Sequence, residues 1–361
     1  MQLNNLGWSE SFARSFESYA SQGLSVGRVA LAHRGQYHLY TETGECSAAL
    51  TGKFRHLAKS TEDFPAVGDW VVIQPATETS QALIESVLPR RGKVSRQAAG
   101  SKSEAQVIAA NIATLFLVSG LDHDFNLRRI ERYLVMAWQS GATPVILLNK
   151  ADLCEGPEEK VEEKIIAVEE IAISVPIIPL SALHQNSLDA LNPYLQPGKT
   201  VALLGSSGVG KSPLTNKLIG HNVQPTQAVR ADDSRGRHTT THREMLKLPS
   251  GALLIDMPGM RELQLWTDPA QLDNPLDETF SDIESLAKQC RFRNCQHGPE
   301  PGCAIQAALE DGTLCAKRFN SYQKLQREQD YQHRRQDKQA QSNTKARWKH
   351  ITKMVRQQQR D

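Results

Sequence analysis

We expect no export leader from the opening residues. Met1 to Trp8 carry neither a basic start nor the apolar stretch that directs secretion. No uninterrupted apolar run reaches the length that crosses a bilayer. From these absences we expect a soluble, cytoplasmic protein with no membrane partner. Net charge is also nearly missing, with 42 Lys and Arg against 40 Asp and Glu for a formal +2. Cysteine is sparse, six in 361 residues, and no internal repeat divides the chain into copies.

What is present is ordinary globular composition, 39% hydrophobic and 23% charged, at a length that suits two or three domains. The small net charge hides an asymmetry. From Tyr331 onward the bases are Arg334, Arg335, Lys338, Lys345, Arg347, Lys349, Lys353, Arg356 and Arg360, against Asp337 and Asp361 alone. Such a tail suits a polyanionic partner through counterion release, and it equally suits a solvated tail with no partner.

Residues 1–24 read as an extension holding a short amphipathic helix. Residues 25–97 hold short strand candidates at Gly27–His33, Tyr37–Thr41, Ala48–Lys53, Asp69–Ile73 and Ala82–Val87, with turn signals between them. Five such strands suit an OB-type barrel; a small open sandwich fits the same pattern. Arg90-Arg91-Gly92-Lys93 and the polar stretch to Ser103 read as a boundary. Residues 98–267 alternate buried strands (Thr114–Val118, Val145–Leu148, Ile177–Pro179, Val201–Leu204, Leu253–Ile255) with helices such as Leu127–Gln139 and Glu158–Ile171. That alternation points to a mostly parallel sheet with helices on both faces. Residues 268–325 read as helices around a Cys/His cluster, and 326–361 as a basic tail.

The strand candidate Val201–Leu204 runs straight into Gly205-Ser206-Ser207-Gly208-Val209-Gly210-Lys211-Ser212, and a helix follows. This is a phosphate-binding loop in its required context. Its backbone N–H groups would cradle phosphate oxygens, Lys211 would bridge the β- and γ-phosphates, and the Ser212 hydroxyl would ligate Mg²⁺. Asn149-Lys150-Ala151-Asp152 ends an earlier strand and supplies a guanine reader. Asp152 can accept from both N1–H and the 2-amino group of guanine, a pair of donors that adenine lacks. The stem of Lys150 can lie over the purine. Ser181-Ala182-Leu183 offers the second base-contacting loop.

Downstream, Asp256-Met257-Pro258-Gly259 is D-x-x-G after an apolar strand, with Asp256 directed to Mg²⁺ through water and the Gly259 N–H to the γ-phosphate. Thr240 or Thr241, in the run Gly236-Arg237-His238-Thr239-Thr240-Thr241, would close on Mg²⁺. The base motifs thus precede the phosphate loop, the reverse of the usual order. A sheet tolerates this when the old termini are joined and new ones opened.

These motifs, with the barrel and the Cys/His cluster, resemble the RsgA or YjeQ family of small-ribosomal-subunit-dependent, circularly permuted GTPases. The resemblance implies a multidomain chain: an N-terminal OB-type β-barrel, a central circularly permuted α/β P-loop GTPase domain and a C-terminal helical zinc-binding domain. It also implies GTP hydrolysis stimulated by the small ribosomal subunit, contact with its rRNA, and a role in late subunit maturation. We take the chain to be a monomer.

Two positions depart from that pattern. Met257 stands where threonine or serine is common. Pro213 stands where the family usually has a small polar residue, and it removes an N–H that points at the α-phosphate. That loss is worth about 1.5–3 kcal/mol before compensation, and proline also biases Ser212 away from helical angles. A nucleotide-impaired RNA-binding assembly factor is therefore a second reading, and a GTPase serving another polyanion a third. Glutamine commonly follows D-x-x-G to hold the attacking water; here the residue is Met260, which cannot. His238 resembles the family histidine proposed for that task, and a plain surface-loop histidine fits as well.

Cys290-x4-Cys295-x-His297-x5-Cys303 supplies three thiols and an imidazole. Four such ligands fill a closed tetrahedral site, so the spacing predicts one structural Zn²⁺. Arg291 and Arg293 lie between ligands, where they can meet RNA phosphates or remain solvated.

Overall fold

The computed structural model describes residues 2–33, 35–77, 80–97, 105–154, 161–220, 244–257, 274–332 and 334. The chain divides into two compact units. One is Met1–Arg96 with Gln106–Leu263; the other is Gln97–Ala105 with Gln264–Asp361.

The first unit opens on one 3-10 turn, Leu3–Leu6, and helix α1, Glu10–Ala20. The expected helix of the 1–24 extension thus spans Glu10–Ala20. Phe12, Phe16 and Tyr19 recur on one face of α1, and Trp8 and Phe12 meet the fully buried Trp70 at ring-centroid distances of 4.7 and 6.0 Å.

Strands β1 (Ser25–His33), β2 (Gln36–Thr41) and β3 (Gly44–Leu50) form an antiparallel meander. After helix α2 (Gly52–Leu57) come β4 (Trp70–Gln74) and β5 (Ala82–Val87). β3 pairs parallel with β5, β5 antiparallel with β4, and β4 antiparallel with β1. The β1–β4 pairing closes a five-stranded barrel, so the open sandwich is excluded. Val29, Leu39, Ala48, Val71 and Ile84 fill it. The strand read at Ala48–Lys53 is corrected: it starts at Gly44 and stops at Leu50. Thr51 ends it by capping α2, its hydroxyl accepting from Phe54 N at 3.1 Å.

The segment after the barrel is bonded on every side. Arg90 grips the buried Asp69 with two hydrogen bonds of 2.8 and 2.7 Å and also donates to the carbonyls of Glu62 and Phe64. A Cβ on Gly92 would lie 2.1 Å from the Ser140 carbonyl oxygen. β6 (Lys93–Gln97) and β7 (Ala105–Ala110) then form a two-stranded ribbon.

Next come β8 (Thr114–Gly120), α3 (Leu127–Ser140), β9 (Thr143–Asn149), α4 (Val161–Glu169), β10 (Ile177–Pro179), β11 (Thr200–Gly205), α5 (Lys211–Ile219), β12 (Glu244–Lys247) and β13 (Leu253–Asp256). The sheet runs β10-β9-β8-β11-β13-β12, parallel as far as β13, with β12 antiparallel at its edge. Its inner strands β8, β9 and β11 are almost entirely buried, as a sheet covered on both faces requires, while the edge strands β10 and β12 are only partly so. β12 also touches β1 at Leu31↔Glu244, so the barrel and the parallel sheet share an edge.

In the second unit, α6 (Pro275–Thr279), α7 (Ser281–Ala287), α8 (Ala304–Glu310) and α9 (316–332) bury Leu276, Phe280, Ile283, Ile305, Phe319 and Tyr322. The buried Arg318 pairs with Asp282 at 2.7 Å and lies over the Phe280 ring. Most of the basic tail, 335–361, lies outside the described residues.

Candidate functional site

β11 lies between β8 and β13, and all its residues are buried. Its carboxyl end therefore places the phosphate loop where parallel sheets put ligand-contacting loops. α5 follows, with Gly210 as its N-cap at φ 97°. Only glycine fits there: a Cβ would lie 2.1 Å from the Asn149 amide nitrogen. The Lys211 ammonium folds back over the loop, donating to the carbonyls of Gly205 at 2.7 Å and Ser206 at 2.6 Å. Burial pulls its pKa down to about 8, against the opposing charges of Asp256 and Asp124.

Pro213 is the third residue of α5, and the first helical bond after the cap is Leu214 N to Gly210 O at 3.1 Å. The helix thus makes no demand on the missing N–H. Ser212 keeps a helical conformation, contrary to the bias expected before proline. The close packing of Leu214 and Thr215, both fully buried, outweighs that bias.

Asn149 joins three motifs. Its amide nitrogen donates to the Val209 carbonyl at 2.7 Å, and its amide oxygen accepts from Ala182 N at 3.0 Å. Ala151 N donates to Leu180 O at 3.1 Å, tying the two base loops again. Ser181 braces its own turn, its hydroxyl accepting from Leu183 N. Asp152 is half-buried at the start of the 3-10 turn Ala151–Cys154.

Lys150 has a left-handed backbone, φ 66°, and its ammonium meets Asp122 at 2.6 Å. Burial pushes the Asp122 carboxyl up, but hydrogen bonds from Lys150 and Asp124 N, with nearby positive charge, outweigh it and hold the group below its ordinary value.

Sequence reading missed the loop after β8. Asp124 accepts from the Ser206 hydroxyl and pairs with Arg129 at 2.6 Å, while Arg129 also donates to Ser206 at 3.0 Å. A polar chain thus runs from Lys150 through Asp122 and Asp124 to the second residue of the phosphate loop. Asp-x-Asp at the carboxyl end of a buried strand was the available signal.

Asp256 ends β13, is buried, and is close enough for its charge to raise the Lys211 pKa. Ser212 and Asp256 are hard oxygen donors flanking that lysine in sequence or space, a donor set that suits Mg²⁺. Met257 is fully buried. The other switch-side residues, His238, Thr240, Thr241 and Gly259, lie outside the described residues.

In the second unit the ligand atoms of Cys290, Cys295, His297 and Cys303 lie within 4.8 Å of one another. Cys290 Sγ is 4.0 Å from Cys303 Sγ, and His297 Nδ1 is 3.6 and 3.8 Å from those two sulfurs. Tetrahedral zinc with ~2.3 Å thiolate bonds needs sulfurs about 3.8 Å apart, so the set fits zinc. Nδ1 is the ring nitrogen facing the thiols, and Gln306 Nε2 fixes the turn by donating to His297 O at 2.6 Å. Burial raises the Cys290 thiol, but the N–H groups of Ala304 and Ile305 and its sulfur neighbours outweigh it, so its pKa is lowered. Cys295 is pushed up to about 12 by the adjoining Glu300 carboxylate.

Five-stranded barrel, parallel sheet, phosphate loop after the base loops, and Cys/His centre together define a circularly permuted P-loop GTPase. A sequence model of the RsgA GTPase family matches residues 87–266. The small ribosomal subunit biogenesis GTPase RsgA of Opitutus terrae is 46% identical, spanning 100% of this chain and 98% of that protein. RsgA 2 of Lactiplantibacillus plantarum is 46% identical over 92% of this chain and 91% of its own. The crystal structure of YjeQ from Thermotoga maritima is similar at a TM-score of 0.61 and 28% identity, over 84% of this chain and 97% of that one. The chain belongs to the RsgA GTPase family. It is accordingly a GTP hydrolase, a class that works with guanine nucleotide and Mg²⁺.

Proposed function

We propose that this chain binds the small ribosomal subunit and its rRNA in the cytoplasm, as a monomer, and hydrolyses GTP when the subunit stimulates it, acting in late subunit maturation and factor release. The carrying observation is that relatives named for small-subunit biogenesis match the chain over its whole length, barrel and Cys/His segment included. The parts divide as residues 1–24, an extension; 25–97, an RNA-binding OB barrel; 98–267, the GTPase; 268–325, the zinc domain; and 326–361, the tail.

Asn149, Lys150 and Asp152, with Ser181 and Ala182, read the guanine. Gly205 through Ser212 cradle the phosphates, and Gly259 senses the γ-phosphate. Ser212, Thr240, Thr241 and Asp256 would hold Mg²⁺, which neutralises phosphate charge when bound. Lys211 and Thr240 stabilise the reacting phosphate, and His238 orients the water that Met260 cannot. Cys290, Cys295, His297 and Cys303 hold a structural Zn²⁺ that fixes the second unit.

The test is GTP turnover by the full chain, with and without small ribosomal subunits, beside a nucleotide titration. Slow turnover that subunits raise sharply is expected. Subunit binding without nucleotide binding would instead make this a Pro213-disabled RNA-binding factor. No subunit binding at all would overturn the ribosomal reading.

A further inference from the structure

We propose that Arg291-Phe292-Arg293, between the first two cysteines of the metal cluster, is a docking knuckle for single-stranded RNA, with an unstacked base on Phe292 and flanking phosphates on the two arginines. This deepens the ribosomal reading above and rests on it.

A single exposed apolar side chain means little; the setting of this one carries the inference. Phe292 is 45% exposed while the unit's core is made by Phe280, Ile283, Ile305 and Phe319 without it. Its loop is pinned at both ends by cluster cysteines. It is also held by Arg291 N donating to Gly302 O at 3.0 Å and by Cys295 N donating to Phe292 O at 3.3 Å. A fixed loop loses little conformational freedom on docking.

Charge points the same way. From Ser285 to Pro299 the charged residues Lys288, Arg291 and Arg293 are all basic and exposed, with no acid among them. Glu300 comes next, and its carboxylate is tied to the loop backbone, accepting from Gln296 N at 3.2 and 3.0 Å. The Arg291 guanidinium lies 5.5 Å from the Phe292 ring centroid. An aromatic ring beside arginine planes takes a nucleobase by stacking, and the cations take phosphate. Duplex RNA keeps its bases stacked on one another and offers none to the ring, so the occupant is a splayed loop, bulge or end.

The experiment uses the full, metal-loaded chain. Binding is measured to a single-stranded RNA of about twelve nucleotides, to a duplex of the same length, and to small ribosomal subunits. Phe292→Ala is expected to weaken single-strand and subunit binding roughly 5- to 150-fold, with the salt slope unchanged. Phe292→Trp should restore it, and metal content and GTP binding should stay at parent levels. Arg291→Gln with Arg293→Gln should lower the salt slope by about 1 to 2.

Parent-like single-strand binding by Phe292→Ala would overturn the proposal. So would a loss on subunits alone, which would put a protein on the knuckle. Phe292-dependent binding to the oligonucleotide by a chain that ignores subunits would keep the knuckle and remove the ribosomal reading.

Discussion

Asn149 bonds the carbonyl of Val209, 60 positions away, whereas Cys290 meets His297 across seven. The nucleotide motifs come from the ends of β9, β11 and β13 and from the loop after β10, and the buried sheet brings them together. The Cys/His ligands come from one short stretch with few apolar neighbours, and they hold one another. A site assembled by a core should survive loss of its ligand. A site whose ligands come from one loop and hold one another should not.

The largest effect should come from metal. Chelation, or Cys303→Ser, should melt the second unit, since structural zinc contributes about 10–16 kcal/mol in small zinc modules. Helical circular dichroism and limited proteolysis would read that loss. Guanine-nucleotide affinity should hold, and its collapse alongside would break the comparison.

The next effect is Asn149→Ala. It leaves the Val209 carbonyl and the Ala182 N–H without their partner, at about 1–3 kcal/mol each. Fluorescent-nucleotide titration should show affinity falling by two or more orders of magnitude, with a lowered Tm.

Pro213→Ser should act oppositely. Restoring an N–H toward the phosphates should tighten nucleotide binding by roughly 10- to 150-fold, for about 1.5–3 kcal/mol. Unchanged affinity in the same titration would mean that the loop already compensates.

The smallest effect is in pH. The Lys211 pKa is about 8 in the folded chain against an ordinary 10.5. Phosphate requires the charged lysine, so binding draws a proton back. Affinity should be flat below about pH 7 and fall above pH 8, approaching tenfold per pH unit. Without nucleotide the sign for stability is reversed. Between pH 8 and 10.5 the unfolded chain holds a proton that the folded chain has shed, so stability from this group rises through that window. Titrations at several pH values, with Lys211→Met as reference, would check the slope.

Periodicity marked the strands well where apolar runs are bounded by turns: Ile177–Pro179 is β10 to the residue, and Leu253–Ile255 is β13 but for Asp256. It missed β6, β7 and β12. Lys-Val-Ser-Arg-Gln and Glu-Met-Leu-Lys carry too little apolar pattern to mark a strand, and only their partners make them so. The shared edge of barrel and sheet at Leu31↔Glu244 was invisible for that reason.

Among site residues, the motif positions were legible because phosphate and guanine demand fixed chemistry at fixed spacing. Asp124 and Arg129 were not, since their partner Ser206 lies 82 and 77 positions on. The same holds for the fully buried Arg28. It donates to the carbonyls of Leu6, Gly68 and Asn111, and burial lowers its pKa to about 9. Nothing in its neighbours along the chain announces an arginine buried on the outer face of the barrel, under the N-terminal extension.

The most direct measurement of the central claim, that the permuted order still builds a guanine-reading pocket, is a titration of Asp152→Asn with guanosine and xanthosine diphosphates. Xanthine carries a carbonyl where guanine carries the 2-amino group, so an asparagine amide can donate where the aspartate accepted. The account predicts that Asp152→Asn loses the guanine nucleotide and gains the xanthine nucleotide. Equal affinities for guanosine diphosphate before and after the substitution would contradict it.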